Sequence, residues 1–220
     1  MDLVRLGIIT PIGPNHRHSF ESADQSIDDA WMHDKGPFTS ILKIALPDED
    51  GNIGRSARRN YGIEIAIKNQ CEWIFFLDAD DLMYPEAFKN FQKYSNTYDA
   101  VWGNICEMPY GDFSSLKIRE SQLRETEIFS DLLSVDPFLT LQMGHFIKTH
   151  VAASVKFDET MNIGEDFNFY LRVCSRFKFK KCREIFFINQ RGNHSQGPLS
   201  GSGQQWRINV EQEINKYIIR

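Results

Sequence analysis

The sequence predicts an α/β fold, with a mixed, mainly parallel sheet flanked by helices. Two observations lead to this prediction. Short apolar segments alternate along the chain with segments of helical periodicity, and the most apolar of them, Trp73–Leu77, is continuous and aromatic. Such a strand is buried on both faces, as the central strands of parallel sheets are. Ligands of such sheets bind beyond the carboxyl ends of the strands, so we expect functional residues in the loops there.

The first half of the chain is predicted to contain three strands and three helices. Apolar, β-rich runs mark the strands, two of which are closed by prolines at positions 11 and 47. Apolar residues that recur every three or four positions mark the helices. The predicted strands are Leu3–Thr10, Ser40–Leu46 and Trp73–Leu77; the predicted helices are Ser19–Asp34, Gly54–Asn69 and one that Pro85 opens.

The second half is predicted to be more irregular. Its predicted strands are Ala100–Ile105 and Glu184–Asn189; its predicted helices are Glu127–Val135, Gly164–Phe177 and a C-terminal helix with Trp206, Val210, Ile214 and Tyr217 facing inward. The stretch Gly192–Gly203 is rich in Gly and Ser and predicts a mobile loop. We therefore expect one domain over residues 1–203, with residues 204–220 as a helix packed on it.

The composition favours a globular protein and argues against a nucleic-acid-binding one. The chain has 220 residues, 41% of them hydrophobic, which suits a single domain with a sizeable core. A net charge of −5 and a pI near 5.7 argue against a broad nucleic-acid surface. An acidic protein can still bind a diphosphate when a divalent cation lies between them.

The sequence also indicates a reducing compartment. Its four cysteines show neither C-x-x-C spacing nor a histidine at zinc-finger distance, and Cys71 and Cys106 adjoin apolar runs, as buried free thiols do. The N-terminus lacks the apolar run of a signal peptide, and no apolar stretch approaches the ~20 residues that span a bilayer. We expect a soluble, cytoplasmic protein, and peripheral contact with a membrane stays open.

Three acids, Asp78, Asp80 and Asp81, directly follow the most apolar strand. Carboxylates packed this closely repel one another unless a cation binds them. An EF-hand loop would need glycine at its sixth position and glutamate at its twelfth, where this chain has Met83 and Lys89. Taken alone, the three acids are equally consistent with a solvated acidic turn, because loops favour aspartate.

The neighbouring segments distinguish these two interpretations. Gly54–Gly62 reads Gly-Arg-Ser-Ala-Arg-Arg-Asn-Tyr-Gly, and it is followed by the apolar strand, Asp-Ala-Asp-Asp and Pro85-Glu86. Together these segments resemble the donor-binding half of the family 2 glycosyltransferases, which have the GT-A fold. Phe157-Asp158-Glu159 followed by Gly164-Glu165-Asp166 is similar to the acceptor-side signature of that family, and Arg191–Ser195 is a weaker match.

The resemblance implies an inverting, metal-dependent transfer of a sugar from a nucleotide-diphosphate sugar to an acceptor hydroxyl. It implies Mn²⁺ or Mg²⁺ as the cofactor and a UDP-sugar as the preferred donor. Asp166 would be the catalytic base, with Glu165 beside it holding the acceptor or orienting the loop. Asp80 would bind the metal, and His194 would be a further metal ligand. Asp78 would bind either the donor ribose or the metal through water. The donor-binding residues would be Thr10, Pro11, Asp48, Arg55, Arg59, Asn60, Asp78, Ala79, Asp80 and Arg191.

One feature departs from the family pattern. Members usually carry an acid after a second strand, where it binds the nucleobase, but only one strand here fits between the first helix and Gly54. That acid is either missing from this chain or supplied by Asp48, Asp50 or Asp34. The donor half is expected over about residues 1–105 and the acceptor half over about 106–203, with acceptor choice in the segment 110–146. The acceptor, the sugar and the oligomeric state cannot be read from the sequence.

Two other functions remain open at this stage. A degenerate family member could bind a nucleotide sugar or a glycan without turnover, and the shortened second-strand region favours that alternative. A sugar nucleotidyltransferase would have a similar fold but a loop rich in Gly, Arg and Lys after the first strand. The loop here, Ile12–Arg17, contains one Gly and one Arg, which is a poor match.

Overall fold

The computed structural model describes residues 4–120, 124–192 and 203–218. The strands are β1 (Arg5–Ile12), β2 (Ser40–Pro47), β3 (Trp73–Phe76), β4 (Leu82–Met83), β5 (Ala100–Pro109), β6 (Lys117–Ile118), β7 (His145–Lys148) and β8 (Phe179–Arg191). The helices are α1 (Arg17–His33), α2 (Arg55–Lys68), α3 (Ala87–Gln92), α4 (Phe129–Leu133), α5 (Thr149–Val155), α6 (Glu165–Cys174) and α7 (Gly203–Ile218).

The strands form one mixed sheet in the order β2-β1-β3-β7-β5-β8-β4, with β6 paired to β5. The strand β1 is parallel to β2 and β3, and β5 is parallel to β8. Between these two parallel blocks lies β7, which is antiparallel to both β3 and β5. The short strand β4 pairs antiparallel with β8, and β6 pairs antiparallel with β5. The predicted mixed sheet flanked by helices is confirmed, and its parallel pairings are concentrated in the two blocks.

Two apolar cores cover the two faces of the sheet. Successive strand residues point to opposite faces, so Ile9 and Phe76 enter one core while Ile8 and Phe75 enter the other. The first core is closed by side chains from α2, α5, α6 and α7. The second is closed by α1 and α3, and its ring of stacked and edge-on aromatics surrounds Phe146. All four cysteines are buried and free, as expected.

The structure changes several element boundaries. Pro11 does not end β1, because it pairs with Leu46 in the parallel ladder at the edge of the cleft. Pro85 lies in a turn, and α3 begins at Ala87. The short elements β4, β6, β7 and α5 were not predicted; they are two to seven residues long, too short for a periodic signal.

The C-terminal helix α7 packs against α4 and α6. Val210 is fully buried there, while Trp206, Ile214 and Tyr217 lie partly buried on the same core, as the sequence predicts. Within the described ranges, no helix combines the length and apolarity that crossing a membrane requires. The loop expected at Gly192–Gly203 falls almost wholly on residues 193–202, which lie outside the described residues.

Candidate active site

One cleft of about 930 Å³ opens beyond the carboxyl ends of β1, β2 and β3. Its lining comes from the loops after those strands, from the first turns of α2 and α6, from the end of β8 and from the start of α7. Parallel strands end together at one edge of the sheet, so residues far apart in the sequence meet there. Of the predicted site residues, the cleft brings together Pro11, Asp48, Arg55, Arg59, Asp78, Ala79, Asp80, Glu165, Asp166 and Arg191.

The three acids after β3 have different environments. Asp81 is buried, and its carboxylate accepts hydrogen bonds from Asn189 Nδ2 and from the Gln190 backbone N–H, both at 3.0 Å. Asp81 therefore fixes the acidic turn to β8. Burial, and secondarily the charge of Asp78, raises the pKa of Asp80 to about 7. The negative charge of this turn is thus poorly compensated, and a cation bound between Asp78 and Asp80 would relieve it.

A buried arginine joins the acidic turn to the start of α6. Arg59 Nη2 donates to Asp78 Oδ1 at 2.7 Å, and Arg59 Nη1 donates to Glu165 Oε1 at 3.2 Å. Burial alone would lower the pKa of Arg59, but the two carboxylates outweigh it and raise that pKa. Arg55, one helical turn earlier, approaches the same Glu165 oxygen at 3.5 Å. Arg59 is therefore the link that holds the two acidic motifs at a fixed separation.

The two acids at the start of α6 divide into a buried and an accessible one. Gly164 adopts a left-handed backbone (φ 80°) that turns the chain into the helix. Glu165 is buried against the two arginines, and burial followed by the charge of Asp166 raises its pKa. Asp166 is partly exposed to the cleft, and its Oδ1 accepts from the Phe167 backbone N–H at 2.8 Å and from Trp206 Nε1 at 3.2 Å. Its second oxygen has no hydrogen bond among the described residues.

Of the three acids considered for the nucleobase, Asp48 is the one that lines the cleft. It directly follows β2, lines the cleft and is 8% exposed. Its carboxylate accepts from the backbone N–H groups of Ile53 (3.2 Å) and Gly54 (2.8 Å), which orients the entry to α2. Asp50 is exposed and is not part of the lining, and Asp34 ends α1 before β2 begins.

Two predicted site residues, Thr10 and Asn60, are not part of the cleft lining. Thr10 is buried within β1. Asn60 joins α2 to the segment before α6, because the Asn60 Nδ2 donates to the Phe157 carbonyl at 2.9 Å and the Asn60 Oδ1 accepts from the Phe157 N–H at 2.8 Å. Arg191 lines the cleft, but its guanidinium lies over the ring of Phe138, with 5.9 Å from Cζ to the ring centroid. His194 lies outside the described residues.

His16 and Trp206 are among the contributors to the cleft that sequence reasoning missed. His16, in the loop after β1, is buried with its Nε2 4.0 Å from Asp80 Oδ2. The only signal in the sequence was its place after the first strand. Trp206 was expected to pack inward, and it does, but it also donates to Asp166 and lines the cleft with its neighbour Arg207. Only the docking of α7 brings it there.

The residues present fit a divalent cation that shares its coordination with a ligand. The described part of the chain contains no group of three or more His, Cys, Asp or Glu side chains arranged to hold a metal by themselves. Mg²⁺ in phosphate-binding enzymes takes one or two carboxylates and completes its shell with phosphate oxygens and water. Asp78 and Asp80, at 34% and 17% side-chain exposure, match that requirement.

Comparison with known proteins identifies the family. Residues 43–155 match the model of the family described as Glycosyl transferase family 2. The chain belongs to this family. The matched range contains the Arg59 link and the acidic turn, and it ends at α5, before the second acidic motif at the start of α6.

Two curated proteins are similar to this family 2 chain. The uncharacterized glycosyltransferase MJ1057 of Methanocaldococcus jannaschii is 25% identical over 203 residues, which covers 85% of this chain and 61% of that protein. The minor teichoic acid biosynthesis protein GgaB of Bacillus subtilis is 32% identical over 123 residues, covering 52% of this chain and 13% of that protein. The chain thus spans about three fifths of one relative and a small part of the other.

Solved structures of S. aureus TarS share the fold. The complex of TarS 1–349 with UDP-GlcNAc matches with a TM-score of 0.70 at 13% identity, covering 99% of this chain and 67% of that one. The complex with UDP matches with a TM-score of 0.67 at 14% identity, covering 99% and 66%. These likenesses show that chains with little sequence in common share this fold.

Proposed function

We propose that this chain is a metal-dependent, inverting glycosyltransferase that moves a sugar from a nucleotide-diphosphate sugar to an acceptor hydroxyl. The observation that carries the proposal is the convergence of Asp78, Asp80 and Asp166 on one cleft, joined through Arg59 and Glu165. Metal-dependent inverting transfer uses a cation near the leaving diphosphate and a base on the opposite side of the sugar, and this cleft offers residues for both.

The donor would occupy the part of the cleft built by β1, β2 and the acidic turn. Asp48 and Pro11 would contact the nucleoside, while Ala79 and Arg55 would face the sugar-diphosphate. Asp80, with Asp78, would hold Mn²⁺ or Mg²⁺; such a cation, once bound, neutralises the charge that develops on the departing diphosphate. A uridine nucleotide is the first donor to test, because the TarS structures similar in fold contain UDP and UDP-GlcNAc.

Asp166 is our candidate for the catalytic base. An acceptor hydroxyl becomes an effective nucleophile when a carboxylate accepts its proton during attack. Asp166 is oriented by two hydrogen bonds to one oxygen and keeps the other available, whereas Glu165 is engaged by two arginines. We therefore assign proton transfer to Asp166 and the positioning of Arg59 and of the loop to Glu165.

Three further assignments follow from the contacts. Thr10 and Asn60 would support the donor site indirectly, since Asn60 couples α2 to the segment that precedes α6. His16 would help to orient the carboxylate of Asp80, which its Nε2 approaches to 4.0 Å. His194 stays a candidate for the metal on the sequence resemblance alone.

The loop after β1 supports a transferase rather than a sugar nucleotidyltransferase. A nucleotidyltransferase loop would direct basic groups at the triphosphate, but Arg17 is 89% exposed, pairs with Glu49 at 3.7 Å and is not part of the cleft lining. Incubation with labelled pyrophosphate separates the two functions. We expect release of UDP from a UDP-sugar and no exchange of pyrophosphate into it.

The decisive experiment measures UDP release from a panel of UDP-sugars in the presence of Mn²⁺ or Mg²⁺. Slow hydrolysis of one donor, abolished by EDTA and restored by the metal, would support the proposal before any acceptor is known. Asp80→Asn should abolish it, while Asp50→Asn, an exposed aspartate outside the cleft lining, should not. Metal-independent hydrolysis, or an active Asp80→Asn protein, would refute the metal assignment.

A further inference from the structure

The aromatic ring of Phe138 lies at one end of the cleft, with three arginines around it. Phe138 sits in a short turn of helix, residues 137–139, which Asp136 caps by accepting from the Phe138 N–H at 2.9 Å. Three guanidinium groups face its ring, with Cζ to the ring centroid at 4.5 Å for Arg119 and at 5.9 Å for both Arg191 and Arg207. We call Phe138 and these three arginines the Phe138 cluster. All four residues line the cleft.

The Phe138 cluster adjoins the candidate base. The Phe138 and Trp206 rings meet edge to face, with centroids 6.1 Å apart. The indole Nε1 of Trp206 donates to Asp166 Oδ1 at 3.2 Å. One indole ring therefore separates the cluster from the carboxylate that would meet the acceptor hydroxyl. A molecule that presents its hydroxyl to Asp166 would extend from there toward the cluster.

The arginines of the cluster are not equally engaged. Arg119 is buried and fully used, because its three nitrogens donate to Glu107 Oε2 (2.7 Å), to the Phe138 carbonyl (2.9 Å) and to Asn189 Oδ1 (3.1 Å). It holds the ring in place. Arg191 and Arg207, by contrast, are 53% and 57% exposed, and each has one carboxylate no closer than 3.6 Å. Their guanidinium donors are available to a ligand in the cleft.

The cluster carries more positive than negative charge. Arg191 approaches the same Glu107 oxygen that already accepts from Arg119, and Lys117 approaches the other oxygen of Glu107 at 3.8 Å. Arg207 has Asp136. Four cations thus share two carboxylates among the described residues, a surplus of two positive charges in a protein whose net charge is −5.

We propose that the Phe138 cluster binds a phosphate group carried by the acceptor. Guanidinium groups that stack on an aromatic face keep their planar fork of N–H donors free, and this fork matches the oxygens of a phosphate. The surplus positive charge attracts the phosphate. Because Trp206 lies between the cluster and Asp166, the phosphate would bind to one side of the hydroxyl that reacts. This inference deepens the proposed function and rests on it, since it names the class of acceptor that the same cleft would use.

The subsite is distinct from the place proposed for the donor diphosphate, so the proposal moves Arg191, a donor-binding residue by the sequence resemblance, to the acceptor side. The donor side is built by Asp48, the acidic turn and α2, where Arg55 and Arg59 are paired with Glu165 and Asp78. Among the described residues, no hydrogen bond or ion pair joins the Phe138 cluster to Asp78 or Asp80. UDP should therefore leave it open, so that donor and phosphate bind together.

The test uses protein saturated with UDP and Mg²⁺, so that the donor site is filled. Methyl phosphate and dimethyl phosphate are titrated as probes of a terminal phosphate and of a phosphodiester, and NMR follows the tryptophan indole N–H signals. Trp206→Phe assigns the relevant signal. We expect saturable shifts of the Trp206 signal with one or both probes, and the stronger probe tells which form of phosphate the acceptor carries.

Two substitutions with opposite expected effects make the test specific. Arg207→Gln should weaken probe binding about tenfold or more, as loss of a charge-assisted hydrogen bond does. Asp136→Asn should strengthen binding about two- to fivefold, because it frees Arg207 from an exposed ion pair yet keeps the oxygen that caps the Phe138 turn. Arg183→Gln is the matched control: Arg183 is an exposed arginine with one carboxylate at 3.2 Å, outside the cleft lining, and its loss should change nothing.

Several outcomes would overturn the inference. Probe binding that UDP displaces would place the phosphate in the donor site instead. Equal binding by wild type and Arg207→Gln, or no saturable shift with either probe while UDP binds normally, would remove the Phe138 cluster as a phosphate subsite and leave the proposed function intact. Failure of UDP itself to bind with Mg²⁺ would count against the proposed function, and this is measured first and separately.

Discussion

Replacement of Arg59 by methionine tests how the cleft is held together. The Arg59 side chain is 2% exposed and that of Glu165 is 3% exposed, so the substitution leaves the Glu165 carboxylate charged where water does not reach it. Removal of one partner from a buried ion pair costs about 3–5 kcal/mol. Asp78 is 34% exposed and can be solvated, and Arg55 stays 3.5 Å from Glu165. We therefore expect a loss near the lower end, about 3 kcal/mol of unfolding free energy.

The loss is measured by urea denaturation, followed by circular dichroism, with Arg55→Met as the matched control. Arg55 contacts the same Glu165 oxygen, but it is 43% exposed. An exposed ion pair contributes at most about 1 kcal/mol, so the control should stay within that range of the wild type. Equal losses for the two variants, or a loss below about 1 kcal/mol for Arg59→Met, would refute the view that Arg59 is the link between the two acidic motifs.

The pH dependence of the stability loss in Arg59→Met tests whether the unpaired Glu165 charge causes that loss. Burial, followed by the charge of Asp166, already holds the pKa of Glu165 above its usual 4.5 in the folded protein, and loss of Arg59 should raise that pKa further. An acid with a raised folded pKa binds its proton more tightly in the folded state, so stability falls as pH rises through the window between the two values. The deficit of Arg59→Met should shrink as pH is lowered toward 4.5. A deficit independent of pH would exclude the Glu165 charge as its cause.

Further predictions concern the chemistry and the fold. Asp80→Asn should abolish metal-dependent UDP binding in calorimetry without unfolding the protein; unchanged UDP affinity would make the metal assignment wrong. Asp166→Asn should leave UDP binding nearly unchanged and slow transfer by about two to four orders of magnitude, as loss of a general base does, whereas Glu165→Gln should slow the chemical step less. Both effects are measured by kinetics with one working acceptor. A larger loss of turnover in Glu165→Gln than in Asp166→Asn would exchange the roles of the two acids. Gly144→Ala should destabilise the fold by more than about 2 kcal/mol, because the φ of Gly144 is +93° and a Cβ there would overlap a neighbouring ring. Gly111→Ala is the control: its φ is +74° but the space around it is open, so the loss should be only about 1 kcal/mol. Thermal denaturation measures both.

Much of the fold could be predicted from local patterns. Trp73–Phe76 is buried at every position, so its apolar run needed no tertiary knowledge to be read as a central strand. The amphipathic periods of α1, α2 and α6 likewise marked those helices to within a few residues. The family membership also followed from contiguous motifs. The strand β7 could not be read in this way, because His145-Phe146-Ile147-Lys148 becomes a strand only by pairing with β3 and β5.

The residue types of the candidate site were apparent in the sequence, but their relationships were not. The sequence contained Asp34, Asp48 and Asp50 with no means of choosing among them; the chain path after β2 puts Asp48 in the cleft and leaves Asp50 outside its lining. It contained Asp166 next to Glu165, and the burial of Glu165 against two arginines separates their environments.

The sequence by itself determined the strands β1, β2, β3, β5 and β8, the acidic turn and the family, because these depend on patterns within short stretches of chain. Only the tertiary structure decided which side chains share the cleft. Arg59 and Glu165 are 106 residues apart, and Trp206 is 40 residues beyond Asp166, yet each pair forms a hydrogen bond. Such contacts depend on how α2, α6 and α7 dock on the sheet. Docking is set by the summed burial of the apolar faces of these helices, which no local pattern in the sequence specifies.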